Sequence, residues 1–250
     1  MEQYTDLMKR YTIHNNDQLI DYEILHRPRV TRRIHLEIDN AGDLRVVAPR
    51  RMSRRAIHKM LQQRAGHVAR FLIKARERQR DLPEYLYISG ENHLFMGRRY
   101  PLEILQRQGQ RGTVSLADDR ILMMVPENTQ DKARNMLENW YRQRAQQHFA
   151  ERLTVFSQAA PWTAGELPPM RLRRMKRTWG NCSSKGVITL NPHLVKAPAE
   201  CIDYVIAHEV CHLREHNHGK EFYLLQEHLY PGWREAKARL VDKGHIYLHM

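Results

Sequence analysis

Two histidines four residues apart with a glutamate beside the first, His208-Glu209-Val210-Cys211-His212, carry the most chemical information in the chain. On an α-helix, residues i and i+4 lie on one face about one turn apart, so both imidazoles can reach a single metal ion. Glu209 then stands next to that ion without being forced to ligate it. This is the arrangement in which zinc activates a water and a neighbouring carboxylate takes its proton. His218 follows six residues after the second histidine, where a turn would bring it back towards the same ion. Three neutral imidazoles would leave a fourth tetrahedral position open, whereas structural zinc normally has four protein ligands. Zn2+ is therefore the expected cofactor, with another divalent transition metal as the alternative. His216, Glu215, Glu221 and His228 also lie close in sequence; if the helix ends by residue 216, His218 is the better placed third ligand.

The motif needs a helix, and the surrounding pattern supplies one. Ile202, Val205, Ile206, Val210 and Leu213 recur at helical spacing and mark one buried face. Pro198 followed by Ala199-Glu200 suits a helix start, and Asn217 with Gly219 suits a stop. A bare H-E-x-x-H arises by chance in a chain of this composition with a probability of roughly 0.06, so the helix around it and His218 after it add the specificity.

The rest of the chain reads as α+β. Residues 17–49 alternate apolar and polar side chains in short runs separated by the turn cluster Asp39-Asn40-Ala41-Gly42-Asp43, as in an antiparallel meander. Ser53 can cap a single basic helix in which Ile57, Leu61, Val68 and Leu72 face inward and Arg55, Lys59, Arg70 and Lys74 face out. Strands are expected at Tyr85–Ile88, His93–Met96, Tyr100–Leu105, Thr113–Leu116 and Ile121–Val125, and a long helix from about 128 to 158. This divides the chain into a β-rich region, 1–126, and a core of helices on a small sheet, 127–250, the two packed as one unit. No internal repeat stands out.

Composition bounds the partners. The formal charge of +13 is concentrated: residues 51–100 hold 12 Lys and Arg against 4 acids, and residues 151–200 hold 8 against 3. An electropositive face of this kind attracts nucleic acid, nucleotides or an acidic protein, although the bland alternative is a solvated surface. Cys182, Cys201 and Cys211 cannot all pair and have no C-x-x-C spacing, so reduced thiols are expected; Cys211 reads as a small buried residue facing away from the two histidines. No leader-like segment and no apolar run of about 18 residues is visible, which makes a cytoplasmic location, away from membranes, the default expectation.

Taken together, Trp179-Gly180-Asn181-Cys182-Ser183-Ser184-Lys185-Gly186, the strand ending Thr189-Leu190-Asn191, His208-Glu209-x-x-His212, Asn217-His218-Gly219-Lys220-x-Phe222 and Pro231-Gly232-Trp233-Arg234 resemble the YgjP-like family of predicted bacterial zinc metallopeptidases. Arg32-Arg33-Ile34-x-Leu36-x-Ile38 and Val46-Val47-Ala48-Pro49 are similar to that family as well. The departures are Asn181, where the family usually has Ser, and Thr178, which interrupts an Arg-Trp pair. The resemblance implies a zincin-like core with the motif helix at its centre, His208, His212 and His218 as metal ligands, and Glu209 as the catalytic carboxylate. The histidine spacing also fits metzincins, but that pattern requires Gly where this chain has Glu215.

Substrate-binding candidates by residue type are Asn181, Arg177 and Tyr223, with His216 a further possible oxyanion donor. Gly186 to Asn191 is a candidate edge strand for pairing with an extended substrate. The leading expectation is a zinc-dependent hydrolase of peptide bonds acting on a peptide or protein. A nucleotide pyrophosphatase that grips phosphates through Arg50–Arg55 and Arg171–Arg177, and a nucleic-acid-associated protease, are the alternatives.

Overall fold

The computed structural model describes residues 10–16, 18–27, 33–39, 41–109, 111–127 and 129–249. Position 17, residues 28–32 and Asn40, within the alternating run and its turn, and position 128, at the expected start of the long helix, lie outside the described residues. The architecture is α+β, and the chain divides into two compact units, Met1–Leu82 and Pro83–Met250.

In the first unit, β1 (Arg10–Asn15) and β2 (Gln18–His26) form a hairpin, and β3 (His35–Ile38) and β4 (Leu44–Ala48) another. The hairpins join through a parallel β2–β4 contact, giving the order β1-β2-β4-β3. The antiparallel meander expected from alternation is therefore replaced by a mixed sheet. Alternation reports which face is wet, not which strand is the neighbour. Ile13, Ile20, Tyr22, Leu44 and Val46 bury one face of this sheet against Ile57, Leu61, Val68 and Leu72. These last four sit on two helices, α1 (Arg54–Gln63) and α2 (Ala65–Arg80), and not on the single helix expected. Arg64, at φ −120° and ψ 25°, leaves helical values between them. Ser53 caps α1 as the sequence suggests, its Oγ accepting from Ala56 N at 3.3 Å.

The second unit opens with the same strand arrangement. β5 (Asn92–Phe95), β6 (Arg98–Gln106), β7 (Thr113–Ala117) and β8 (Arg120–Val125) run in the order β5-β6-β8-β7, again as two hairpins joined by a parallel contact. On β2 and β6 the parallel registers begin at the same distance from the hairpin turn, Tyr22 opposite Leu44 and Leu102 opposite Ile121, and on β4 and β8 they differ by one residue. The chain thus repeats a topology that its sequence does not display, because equivalent core positions carry different side chains, Ile20 and Tyr100 among them.

The sheet of β5–β8 belongs to the second unit because Tyr100, Leu102, Ile121 and Met123 share one core with Leu137, Trp140 and Tyr141 of α3 (Gln130–Ala159). The division between the two compact units falls between Leu82 and Pro83, and the sequence division was drawn after 126. Tyr85–Ile88 is not a strand: Tyr87 has φ +57°, and the Glu91 carboxylate accepts from Leu86 N at 2.7 Å and Tyr87 N at 2.8 Å.

Beyond α3 come β9 (Met170–Leu172), β10 (Gly180–Cys182) and β11 (Ile188–Leu190), then α4 (Ala199–Cys211), α5 (Lys220–Leu229) and α6 (Trp233–Leu248). Among the described residues, no helix is long and apolar enough to cross a membrane. The β5–β6 turn abuts the start of α4, where a Cβ on Gly97 would stand 2.8 Å from Pro198 Cγ. Since Gly97 is also at φ +77°, this position admits glycine for two independent reasons.

A buried polar clamp holds the end of α6. Lys196 Nζ donates to His249 O at 2.7 Å and lies 5.0 Å from the Tyr141 ring centre, while His193 Nδ1 donates to Leu248 O at 3.2 Å. Burial, then the Lys196 charge, pushes His93 down to about 4 and His193 down to about 3 from the ordinary 6.5. The unfolded chain accepts protons near pH 6.5 that the native state refuses until those lower values. The stability contributed by these neutral imidazoles is therefore complete above pH 6.5 and is lost as pH falls through the folded pKa values. Denaturant midpoints of the metal-free protein are expected to drop between pH 7 and pH 5, and H193Q is expected to flatten that slope; a slope unchanged in H193Q would contradict the assignment.

Candidate active site

The site is built around α4. Cys201, Ile202, Val205, Ile206, Val210 and Cys211 are all buried, so this helix runs through the core with its motif near the C-terminal end. Cys211 is a fully buried free thiol, as its place in the motif suggested. Arg152 of α3 grips Asp203 with two hydrogen bonds of 2.6 and 3.0 Å, and Trp162 Nε1 donates to Val210 O at 3.0 Å. These contacts fix the pitch and the last turn of the helix.

The helix ends at Cys211, with His212 as its C-terminal cap, and the chain turns before α5. That turn returns His218 to the motif: His208, His212 and His218 each offer a ring nitrogen, all within 4.8 Å of one another. His218 Nε2 and His208 Nε2 are 3.0 Å apart. Nitrogens bound to one zinc at about 2.0–2.1 Å lie about 3.3 Å apart in a tetrahedron, a spacing that the His208–His218 pair already approaches. His216, Glu215, Glu221 and His228 are not in this group. Glu215 contributes its backbone, accepting from His212 Nδ1 at 2.9 Å. A carbonyl cannot donate, so His212 carries its proton on Nδ1 and turns the Nε2 lone pair towards the other two rings. Burial, followed by the neighbouring imidazoles, pushes His208 down to about 3, which keeps it neutral and able to ligate.

Glu209 is 4 % exposed, and its Oε2 has no hydrogen-bond partner. Burial alone pushes its carboxyl up to about 8. Opposite it stands β10, where a Cβ on Gly180 would come within 2.5 Å of Glu209 Oε1. The glycine opens the slot that the carboxylate fills. β10 is the edge of a small sheet ordered β10-β11-β9. β11 is the central strand, paired antiparallel to β10 and parallel to β9, so its backbone is already engaged. The edge next to the motif is thus Gly180–Cys182 and not the expected Gly186–Asn191.

The other anticipated residues divide. Asn181 is exposed and, by strand alternation, faces away from the side on which Gly180 meets Glu209. Gly186 at φ +73° forms the β10–β11 turn, donating to Ser183 O at 2.9 Å. Tyr223 stacks on Trp233 with ring centres 5.3 Å apart, and Arg177 is exposed in the basic segment before β10. Trp179 packs on α6, 3.0 Å from the place where a Gly244 Cβ would be.

Sequence reading missed three neighbours. Phe222 lies against all three imidazoles, with ring centres 4.8, 4.6 and 4.7 Å from His208, His212 and His218. Tyr204, one turn before His208, sets its ring 5.8 Å from that imidazole, and burial pushes its phenol up to about 12. Gln226 is fully buried on α5, one turn after Phe222. Counting 3.6-residue turns back from His208 and on from Phe222 points to Tyr204 and Gln226, but the approach of Phe222 itself depends on the turn after α4.

Three clustered histidine nitrogens beside a buried glutamate form a group that could hold a metal ion. Residues 32–243 match the YgjP-like metallopeptidase domain, and the chain belongs to that family. The solved structure of the abylysin metallopeptidase zymogen from Pyrococcus abyssi is 26% identical, with 38% of this chain and 93% of that one covered and a TM-score of 0.34. No curated protein matches.

The Gly180–Glu209 contact has a measurable energetic consequence. G180A is expected to destabilise the protein by about 1–3 kcal/mol through overpacking. In an E209A background the same substitution is expected to cost little, because the colliding side chain is gone. Urea midpoints of the four proteins check this coupling, and equal costs in both backgrounds would contradict the contact.

Proposed function

We propose that the protein is a zinc-dependent peptidase that cleaves peptide bonds in peptide or protein substrates, with His208, His212 and His218 as the metal ligands and Glu209 as the general base. The supporting observation is the Glu209 carboxylate, buried without a hydrogen-bond partner for its Oε2 and adjacent in sequence to a cluster of three imidazoles. A buried acid in that condition is costly unless a cation or a proton-transfer role accounts for it. The donor set fits zinc: three imidazole nitrogens and no fourth side-chain ligand in the group among the described residues. When bound there, the ion supplies a water acidified to a pKa of about 7 and polarises the scissile carbonyl.

Glu209 accepts the proton of the attacking water and returns it to the leaving amine. Its folded pKa of about 8 belongs to the metal-free chain, and a nearby dication favours the ionised base. Tyr204, kept as a neutral phenol, can donate a hydrogen bond towards the carbonyl oxygen. Gly180–Cys182 offers an edge for an extended substrate to pair with by backbone hydrogen bonds, and Gly180 leaves that edge flat against Glu209. Asn181, Arg177 and Tyr223 are then candidates for contact with substrate side chains, and Gly186 shapes the turn of the hairpin that presents the edge. The expected outcome for E209Q is full retention of zinc with turnover of an unfolded protein reduced by about 10²–10⁴-fold. Retained turnover would exclude Glu209 as the base.

A second reading, a nucleic-acid-associated peptidase, rests on one observation. Arg55 with Lys59 on α1, and Arg70 with Lys74 on α2, are exposed like-charge pairs at i,i+4, and none of the four forms an ion pair among the described residues. Such pairs destabilise a helix by a few tenths of a kcal/mol each, a cost that a phosphate backbone would offset. Full-length protein is expected to bind a DNA duplex with affinity that falls steeply with salt, and R55E/K59E/R70E/K74E is expected to reduce that salt slope. Absence of binding at low salt would end this reading.

A further inference from the structure

The motif accounts for only one nitrogen of each imidazole. A ligating histidine also needs its second ring nitrogen engaged, because that bond selects the tautomer and fixes the ring plane. His212 has such a partner in Glu215 O. For His208 the neighbourhood is apolar and aromatic: Phe222 at 4.8 Å, Tyr204 at 5.8 Å and the buried side of α4. Its Nε2 faces His218 at 3.0 Å, which leaves Nδ1 as the nitrogen to be held.

α5 brings one polar side chain to this place. Phe222 touches the three imidazoles, and Gln226 follows it by one helical turn on the same face. Gln226 has no exposed surface, and neither amide atom has a well-formed hydrogen-bond partner. An amide in that condition is costly unless a partner is available. It lies close enough to His208 to hydrogen-bond the ring, in a contact short of ideal geometry. Contacts of this kind tighten when a site is filled.

We propose that Gln226 is a positioning residue for the metal site: its Oε1 accepts from His208 Nδ1–H, so that Nε2 carries the lone pair that faces the ion. A glutamine is suited to this role because its oxygen accepts without adding charge to a dry site. The inference rests on the reading of His208, His212 and His218 as metal ligands, and the experiment separates the two.

Zinc affinity of the full chain is measured by chelator competition for the wild type, Q226L, Q226E and H208A, and for Q226L in the H208A background. Q226L removes the acceptor, keeps the volume and leaves no buried amide, so the metal-free fold should be preserved; a circular-dichroism melt of each metal-free protein checks it. Q226L is expected to weaken zinc binding by about 10–100-fold, and Q226E, which restores an acceptor, to bind within a few-fold of wild type. In the H208A background Q226L should have no further effect. Affinity within twofold of wild type in Q226L, or an equal loss in Q226E, would overturn the proposal, and Q226E decides if Q226L fails to fold. A wild type that binds no zinc while H208A behaves identically would overturn the metal-site reading itself, and this inference with it.

Discussion

A carboxylate buried without a partner is the constraint on which this structure turns. Glu209 is held out of water between the motif helix and an edge strand, with one oxygen against a glycine and the other unpartnered. Among the described residues no hydrogen bond or ion pair stabilises its ionised form. The surroundings over-determine the position all the same. Arg152 and Trp162 pin the helix, β11 fixes β10 from behind, and Gly180 leaves free the volume that the Glu209 side chain fills. The imidazoles show the same economy: His212 is set by a backbone carbonyl, and all three rings rest on one phenylalanine. A site arranged in this way is organised before any ligand arrives, which lowers the cost of assembling it around one.

The parts of the site legible in the sequence are those that depend on local geometry. The i,i+4 relation of His208 and His212, the burial of Cys211 and the amphipathic stripe of α4 all follow from a 3.6-residue period, and the structure has them. His218 was legible to the extent that the helix had to stop before it. Illegible were the facts set by pairing between distant segments. β10 and β11 are both three-residue strands, and only the sheet order shows that β10 is the edge. The Gly180–Glu209 contact joins residues far apart in sequence and leaves no periodic trace. Tyr85–Ile88 has the composition of a strand, yet the Glu91 carboxylate takes its amides and bends it instead. The repeated strand order of the two units escaped for a related reason: topology constrains where apolar residues fall, not which ones they are.

Membership of the YgjP-like metallopeptidase family and the geometry around Glu209 bear on different questions. The family assigns the class of reaction. The geometry adds what is particular to this chain: His208 and His212 with pKa values lowered by burial, a glutamate kept dry beside them, and a short edge strand against that glutamate.

The most direct measurement follows cleavage of an unfolded protein while zinc is stripped with a chelator and then titrated back. The account predicts that turnover disappears on stripping and returns in proportion to zinc, reaching its plateau at one ion per chain. Cleavage that persists without metal, or a chain that takes up one zinc and hydrolyses no peptide bond, would contradict it.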